Sequence, residues 1–134
     1  MGSLIDSSIF IAGERGDDSV KSALAGLAPN EGDVYISAVT VFELLHGVHR
    51  ATPEKRAARE AYVENALQTF PVLAFDEPAA RVFASIDAVL SAAGNRLAVE
   101  DLMIAATALA GGHEVVTRDL RSFPRVPGLR WSRW

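Results

Sequence analysis

Leu4-Ile5-Asp6-Ser7-Ser8-Ile9-Phe10-Ile11 changes character in its middle. Leu4 and Ile5 form a short buried strand that ends at Asp6. The hydroxyls of Ser7 and Ser8 then suit the first turn of a helix carrying Ile9, Phe10 and Ile11. A strand that runs straight into a helix is the natural unit of a parallel sheet, because parallel neighbours need a crossover connection. The alternation recurs along the chain. A modest helix from about Asp18 to Leu27 is stopped by Pro29-Asn30-Glu31-Gly32, and Val34-Tyr35-Ile36-Ser37 is a second apolar run of strand length. Val41, Leu44, Leu45 and Val48 fall at i, i+3, i+4 and i+7, a helical stripe that embeds Glu43 among large hydrophobes. Pro53 suits the first turn of the next helix, which runs to about Thr69.

Val72-Leu73-Ala74-Phe75 is a third strand candidate, followed by a helix opened by Asp76 to Pro78 with the stripe Ala79, Val82, Phe83, Ile86 and Leu90. Gly94-Asn95 breaks that pattern. Helix formers from Leu102 to Ala110 stop at Gly111-Gly112, before the fourth strand, Glu114-Val115-Val116-Thr117; Leu129-Arg130-Trp131 offers an edge strand. The expectation is an α/β fold: a central parallel sheet of four to five short strands, flanked by helices on both faces, in one domain over residues 1–134.

Composition narrows the function classes. With 134 residues, 49% apolar and 22% charged, the chain can bury a core and is too hydrophobic to be a disordered polyelectrolyte. The absence of cysteine removes disulfide scaffolds, cysteine-zinc sites and thiol nucleophiles, and fits a reduced cytoplasm. No stretch approaches the roughly 20 apolar residues that span a bilayer, and no secretory signal opens the chain, so no membrane partner is expected. A formal net charge of -4 does not announce a nucleic-acid binder. The charge is uneven, however. Arg118, Arg121, Arg125, Arg130 and Arg133 face only Asp119 at the C-terminal end, and His46, His49, Arg50, Lys55, Arg56 and Arg59 form a second basic group. Either group suits a solvated face or a phosphate contact.

Topology brings four acids together. In right-handed crossovers the helix after a strand starts at that strand's carboxyl end, where ligand sites of open parallel sheets gather. Asp6 ends the first strand, Glu43 lies in the helix after the second, Asp119 follows the fourth, and Asp101 opens the helix that returns to the fourth. Singly, each has an ordinary role as a helix-terminal, turn or snorkelling acid. Together they would repel by up to about 4 kcal/mol per close pair at an effective dielectric of about 20. The only lysines are Lys21 and Lys55, and neither lies near these acids in the sequence. A divalent cation resolves the repulsion. All-oxygen ligation, no cysteine and no zinc-type histidine spacing favour Mg²⁺ or Mn²⁺.

These segments, Leu4-Ile5-Asp6-Ser7-Ser8, Glu43-Leu44-Leu45-His46-Gly47-Val48, Asp101 through Leu109, and Val116-Thr117-Arg118-Asp119, resemble the four signature segments of PIN-domain ribonucleases. The resemblance is closest to VapC toxins of bacterial toxin-antitoxin pairs and covers essentially the whole chain. It implies an endoribonuclease in which Asp6, Glu43, Asp101 and Asp119 hold Mg²⁺ or Mn²⁺. It also implies transfer or ribosomal RNA as substrate, a VapB-like antitoxin as partner and a homodimer. The fourth position varies in that family between Asp and Asn. Ser8 and Thr117 match its small hydroxyl positions, as substrate-binding residues, although a helix cap and a strand-end turn explain them equally well.

The implied chemistry uses a metal-activated water that attacks the phosphodiester in line, with no covalent enzyme intermediate. Arg118, or basic residues between 46 and 59, would hold the RNA backbone. His46, three residues after Glu43, suits either a phosphate contact or a surface position. Phe10, Phe42, Phe83 and Trp131 read as core or interface residues rather than base-stacking plates. The stretch Val39 to Val48 and the Ile9-Phe10-Ile11 segment hold more hydrophobes than one small core obviously needs, so an antitoxin helix is expected over them. A non-catalytic RNA- or partner-binding module of the same fold is the alternative, which intact acids disfavour. A phosphoacceptor receiver would need paired early acids and a lysine after a late strand, and the chain has neither.

Overall fold

Five parallel strands lie in the order β3-β2-β1-β4-β5. The structure is a computed structural model that describes residues 2–27 and 33–134; the stop expected at Pro29-Asn30-Glu31-Gly32 falls outside the described residues. The strands are β1 (Ser3–Ile5), β2 (Val34–Ser37), β3 (Val72–Leu73), β4 (Glu114–Thr117) and β5 (Trp131–Arg133). The helices are α1 (Ser7–Glu14), α2 (Asp18–Gly26), α3 (Ala38–His49), α4 (Pro53–Thr69), α5 (Glu77–Ala92) and α6 (Val99–Gly111), with a short 3-10 turn at Phe123–Arg125.

Side-chain alternation along the strands divides the core into two. Leu4 and Val115, paired across β1 and β4, face α5 and α6 and pack with Ile86, Leu90, Leu102 and Phe123. Ile5, Ile36 and Val116 face the other way, onto Ile9, Phe10, Leu44, Val48 and Val63 of α1, α3 and α4. Helix α3 serves both layers, with Val39 on one side and Leu44 and Val48 on the other. The helix ends follow local chemistry. Asp17, Ser37 and Asp76 cap α2, α3 and α5 by accepting backbone N–H groups, and α6 ends where Gly112 turns left-handed at φ 71°.

Three expectations change. The third strand is only Val72–Leu73, because Ala74 and Phe75 lead into the Asp76 cap instead of pairing. The edge strand lies at Trp131–Arg133, displaced toward the C-terminus from Leu129-Arg130-Trp131. The surplus of hydrophobes is also smaller than the pattern suggested: Ile9, Phe10, Val39, Leu44 and Val48 are core, leaving Ile11 and Phe42 as the large hydrophobes exposed there. Among the described residues no helix is long and apolar enough to cross a membrane.

Candidate active site

Chain order reverses direction at β1, with β2 and β3 on one side and β4 and β5 on the other, so the β1 and β4 carboxyl ends flank the topological switch point. Asp6 leaves β1 there, pinned by its N–H to the Val116 carbonyl at 2.9 Å. Its side chain is 3% exposed and N-caps α1 through Ser8 N–H. Oδ2 of Asp6 accepts from Ser8 Oγ at 2.7 Å and Thr117 Oγ1 at 2.9 Å. Each hydroxyl has one proton, and backbone donors fill the other side: Arg118 N–H donates to Ser8 Oγ at 2.9 Å and Asp119 N–H to Thr117 Oγ1 at 2.8 Å. Two amides therefore feed two hydroxyls, which feed one carboxylate oxygen, a chain whose dipoles reinforce one another. This arrangement engages the hydroxyls of Ser8 and Thr117 with Asp6.

Glu43 lies midway along α3 and accepts from Ser7 Oγ at 3.2 Å. Burial, with Asp6, Asp101 and Glu100 adding their charge, pushes its carboxyl up to about 7 against the Ser7 hydrogen bond. Asp101 sits in the first turn of α6, where burial and then Asp6, Asp119 and Glu100 raise it, while Ser122 pulls the other way. Asp6 is raised by burial despite its hydroxyl donors. Burial is thus the main cause for all three, and neighbouring acids add to it in Glu43 and Asp101. Asp119 behaves differently: its Oδ1 and Oδ2 take the Arg121 guanidinium at 3.0 and 3.2 Å and Oδ1 also accepts the Arg121 N–H, which lowers its carboxyl. The Arg118 guanidinium, offered to an RNA backbone by the sequence, pairs with Asp17 Oδ2 at 2.6 Å and donates to the Trp134 carbonyl at 2.8 Å.

The donor set has the chemistry of a hard divalent cation: carboxylate oxygens, partly buried, whose mutual repulsion a cation would relieve. As the side chains lie, among the described residues no three such groups close on one point. The Arg121 guanidinium occupies both oxygens of Asp119, and the Ser7 hydroxyl occupies one oxygen of Glu43. Thr40, one turn before Glu43 on α3, carries a buried hydroxyl with no partner among the described residues. Ser7, Glu100, Arg121 and Ser122 are neighbours that sequence reasoning missed. Adjacency to Asp6, Asp101 and Asp119 in the chain was the available signal.

The PIN domain family model matches residues 3–129. The chain belongs to the PIN-domain family. Within that family it resembles VapC proteins: it is 35% identical over 130 residues to Ribonuclease VapC1 of Rickettsia felis, with 96% of this chain and 93% of that protein covered. Over 106 residues it is 36% identical to the tRNA(fMet)-specific endonuclease VapC of Salmonella typhimurium, covering 78% of each. The crystal structure of DNA-bound VapBC from Salmonella typhimurium superposes with a TM-score of 0.84 at 29% identity, covering 100% of this chain and 98% of that one.

Proposed function

We propose that this protein is an endoribonuclease of the VapC type, the toxin of a toxin-antitoxin pair, and that it works with Mg²⁺ or Mn²⁺ held by Asp6, Glu43, Asp101 and Asp119. The observation that carries the metal is electrostatic: Glu43 is pushed to about 7 by burial and by Asp6, Asp101 and Glu100, a cost to folding that bound cation would remove. When bound, the cation supplies Lewis acidity for the attacking water and offsets charge on the phosphate.

The chain's own residues supply placement. Ser8 and Thr117 fix one oxygen of Asp6, so its other oxygen is presented in a constant direction. Arg118 ties the end of β4 to the junction of α1 and α2 through Asp17, which makes it a positioning residue. Arg121 is 90% exposed at its side chain, so a cation would displace it from Asp119 at little cost in burial. The RNA named for the Salmonella relative, initiator transfer RNA, is the first substrate to test. A VapB-like antitoxin is the expected inhibitor, and a homodimer the expected assembly.

Purified protein incubated with initiator transfer RNA should cleave it with Mn²⁺ or Mg²⁺ and not in excess EDTA. Asp6→Asn and Asp101→Asn should lose activity by two orders of magnitude or more and remain folded. Full cleavage in EDTA, or by the Asp6→Asn/Asp101→Asn double variant, would overturn the metal-nuclease reading. Absence of cleavage of any cellular RNA would leave the non-catalytic module in its place.

A further inference from the structure

Beside the acids, α1, α3 and α4 enclose a cleft of about 420 Å³. Glu43 forms part of its wall, so the cleft opens from the candidate site. Its other charged or titratable lining residues are Glu14, Arg15, His46, Arg50 and Arg59. In a chain of net charge -4 this is a local reversal of sign. Glu14 is neutralised by Arg59, whose Nε lies 2.8 Å from Oε1, and that pair is further held by Arg59 to the Gly47 carbonyl. Glu43 belongs to the acid set that cation would neutralise. Arg15 and Arg50 remain, both exposed, their guanidinium groups making no hydrogen bond among the described residues. One edge of the cleft carries an aromatic plate: Phe42, 56% exposed, lies parallel to His46 with ring centroids 5.5 Å apart and planes within 10°.

We propose that this cleft is the subsite for single-stranded RNA on one side of the scissile phosphate, with Arg15 and Arg50 holding backbone phosphates and the Phe42/His46 stack receiving the flanking base. The inference rests on the ribonuclease reading and names where its substrate lies. Unengaged arginines beside an exposed aromatic stack are the combination that single strands use, since a base inside a duplex offers no free face for stacking. The two arginines, unpaired among the described residues, favour an anionic chain over a purely apolar one, although Ile11, Leu44 and Val63 also line the cleft. Its position places the substrate path away from Arg118, which Asp17 and Trp134 already occupy.

The test compares wild type with Arg15→Glu/Arg50→Glu, with the milder Arg15→Gln/Arg50→Gln, and with Phe42→Ala, on one RNA that wild type cleaves in Mn²⁺. Arg81→Glu/Arg130→Glu, on surfaces outside the cleft, serves as the charge control. The expected result is a KM raised at least tenfold by the glutamate pair with kcat within about twofold. The slope of log KM against log salt should fall by about 1.4, two contacts at about 0.7 each. Phe42→Ala should raise KM several-fold and alter the base preferred beside the cut. If the glutamate pair fails to fold, the glutamine pair carries the same expectation at smaller size. Unchanged KM and salt slope in the folded cleft variants, or equal loss in the control, would overturn the inference while leaving the ribonuclease intact. Normal cleavage with lost antitoxin binding would also overturn it, by assigning the cleft to the partner. Wild type that cleaves no RNA would instead sink the underlying reading.

Discussion

Thr117 joins two functional strands of the site through a single hydroxyl. Fully buried, it accepts from Asp119 N–H and donates to Asp6 Oδ2. Thr117→Val keeps the shape and leaves a half-buried amide and a buried carboxylate each one partner short, at about 1 to 3 kcal/mol for a buried group. Urea denaturation should show a loss of that size, most of it recovered by Thr117→Ser; a valine variant as stable as wild type would dissolve the relay. Glu43 sets a pH dependence of definite sign. Its carboxyl rises from an ordinary 4.5 to about 7 on folding, so between those values the folded state holds its proton more tightly than the unfolded state. Stability contributed at Glu43 therefore falls as pH rises from 4.5 to 7 and is lowest above 7. Thermal melts in EDTA across that window should slope downward, and Glu43→Gln should flatten them. An identical slope in the variant would assign the titration to another group.

At the level of elements, the period of the hydrophobic residues was the legible signal. The run Val34 to Ser37 is a strand with the expected bounds, and Pro53 to Thr69 is one helix, because each carries its own start or stop chemistry. Strand β3 was less legible, since Asp76 as a cap competes with extension through Phe75. The strand-end rule placed Asp6 and the segment carrying Asp119 at one edge from sequence alone, whereas side-chain partners depend on rotamers and long-range packing that no local pattern encodes. Hence the capture of Arg118 by Asp17 had no readable signal, and that of Asp119 by Arg121 had only their closeness in the chain. Asp17 does two jobs that substitution can separate: it caps α2 by accepting Val20 N–H at 3.1 Å, and it pairs with Arg118. Asp17→Asn keeps a capping oxygen and removes the charge, so it should lower the denaturation midpoint only slightly, since exposed ion pairs contribute little. Asp17→Ala removes both and should lower the midpoint distinctly further, because the α2 cap is lost as well. Equal losses in denaturant titrations would mean that the ion pair, rather than the cap, holds the junction of α1 and α2.

Over the whole molecule, the fold gathers repulsion at one sheet edge while the rest of the core is apolar and well buried. Asp6, Glu43 and Asp101 each have raised proton affinity, and in Glu43 and Asp101 neighbouring acids add to the effect of burial. A fold with this strain at neutral pH should gain from any cation that binds only its native state. Such a ligand contributes RT ln(1 + [L]/Kd), about 2.7 kcal/mol at a hundredfold excess over Kd. For a chain of this length that corresponds to a rise in melting temperature on the order of 10 °C. Neutralising one acid then has opposite effects in the two conditions. Asp101→Asn removes a like charge facing Asp6 and Asp119, so it should melt above wild type in EDTA. It also removes a proposed ligand, so the same variant should gain less from Mn²⁺ than wild type does. Differential scanning calorimetry of both proteins, with and without Mn²⁺, reads all four values. A variant less stable in EDTA with an unchanged response to Mn²⁺ would make Asp101 an acid of the α6 first turn whose favourable interaction with the helix dipole outweighs the repulsion, and would remove it from the proposed cation site.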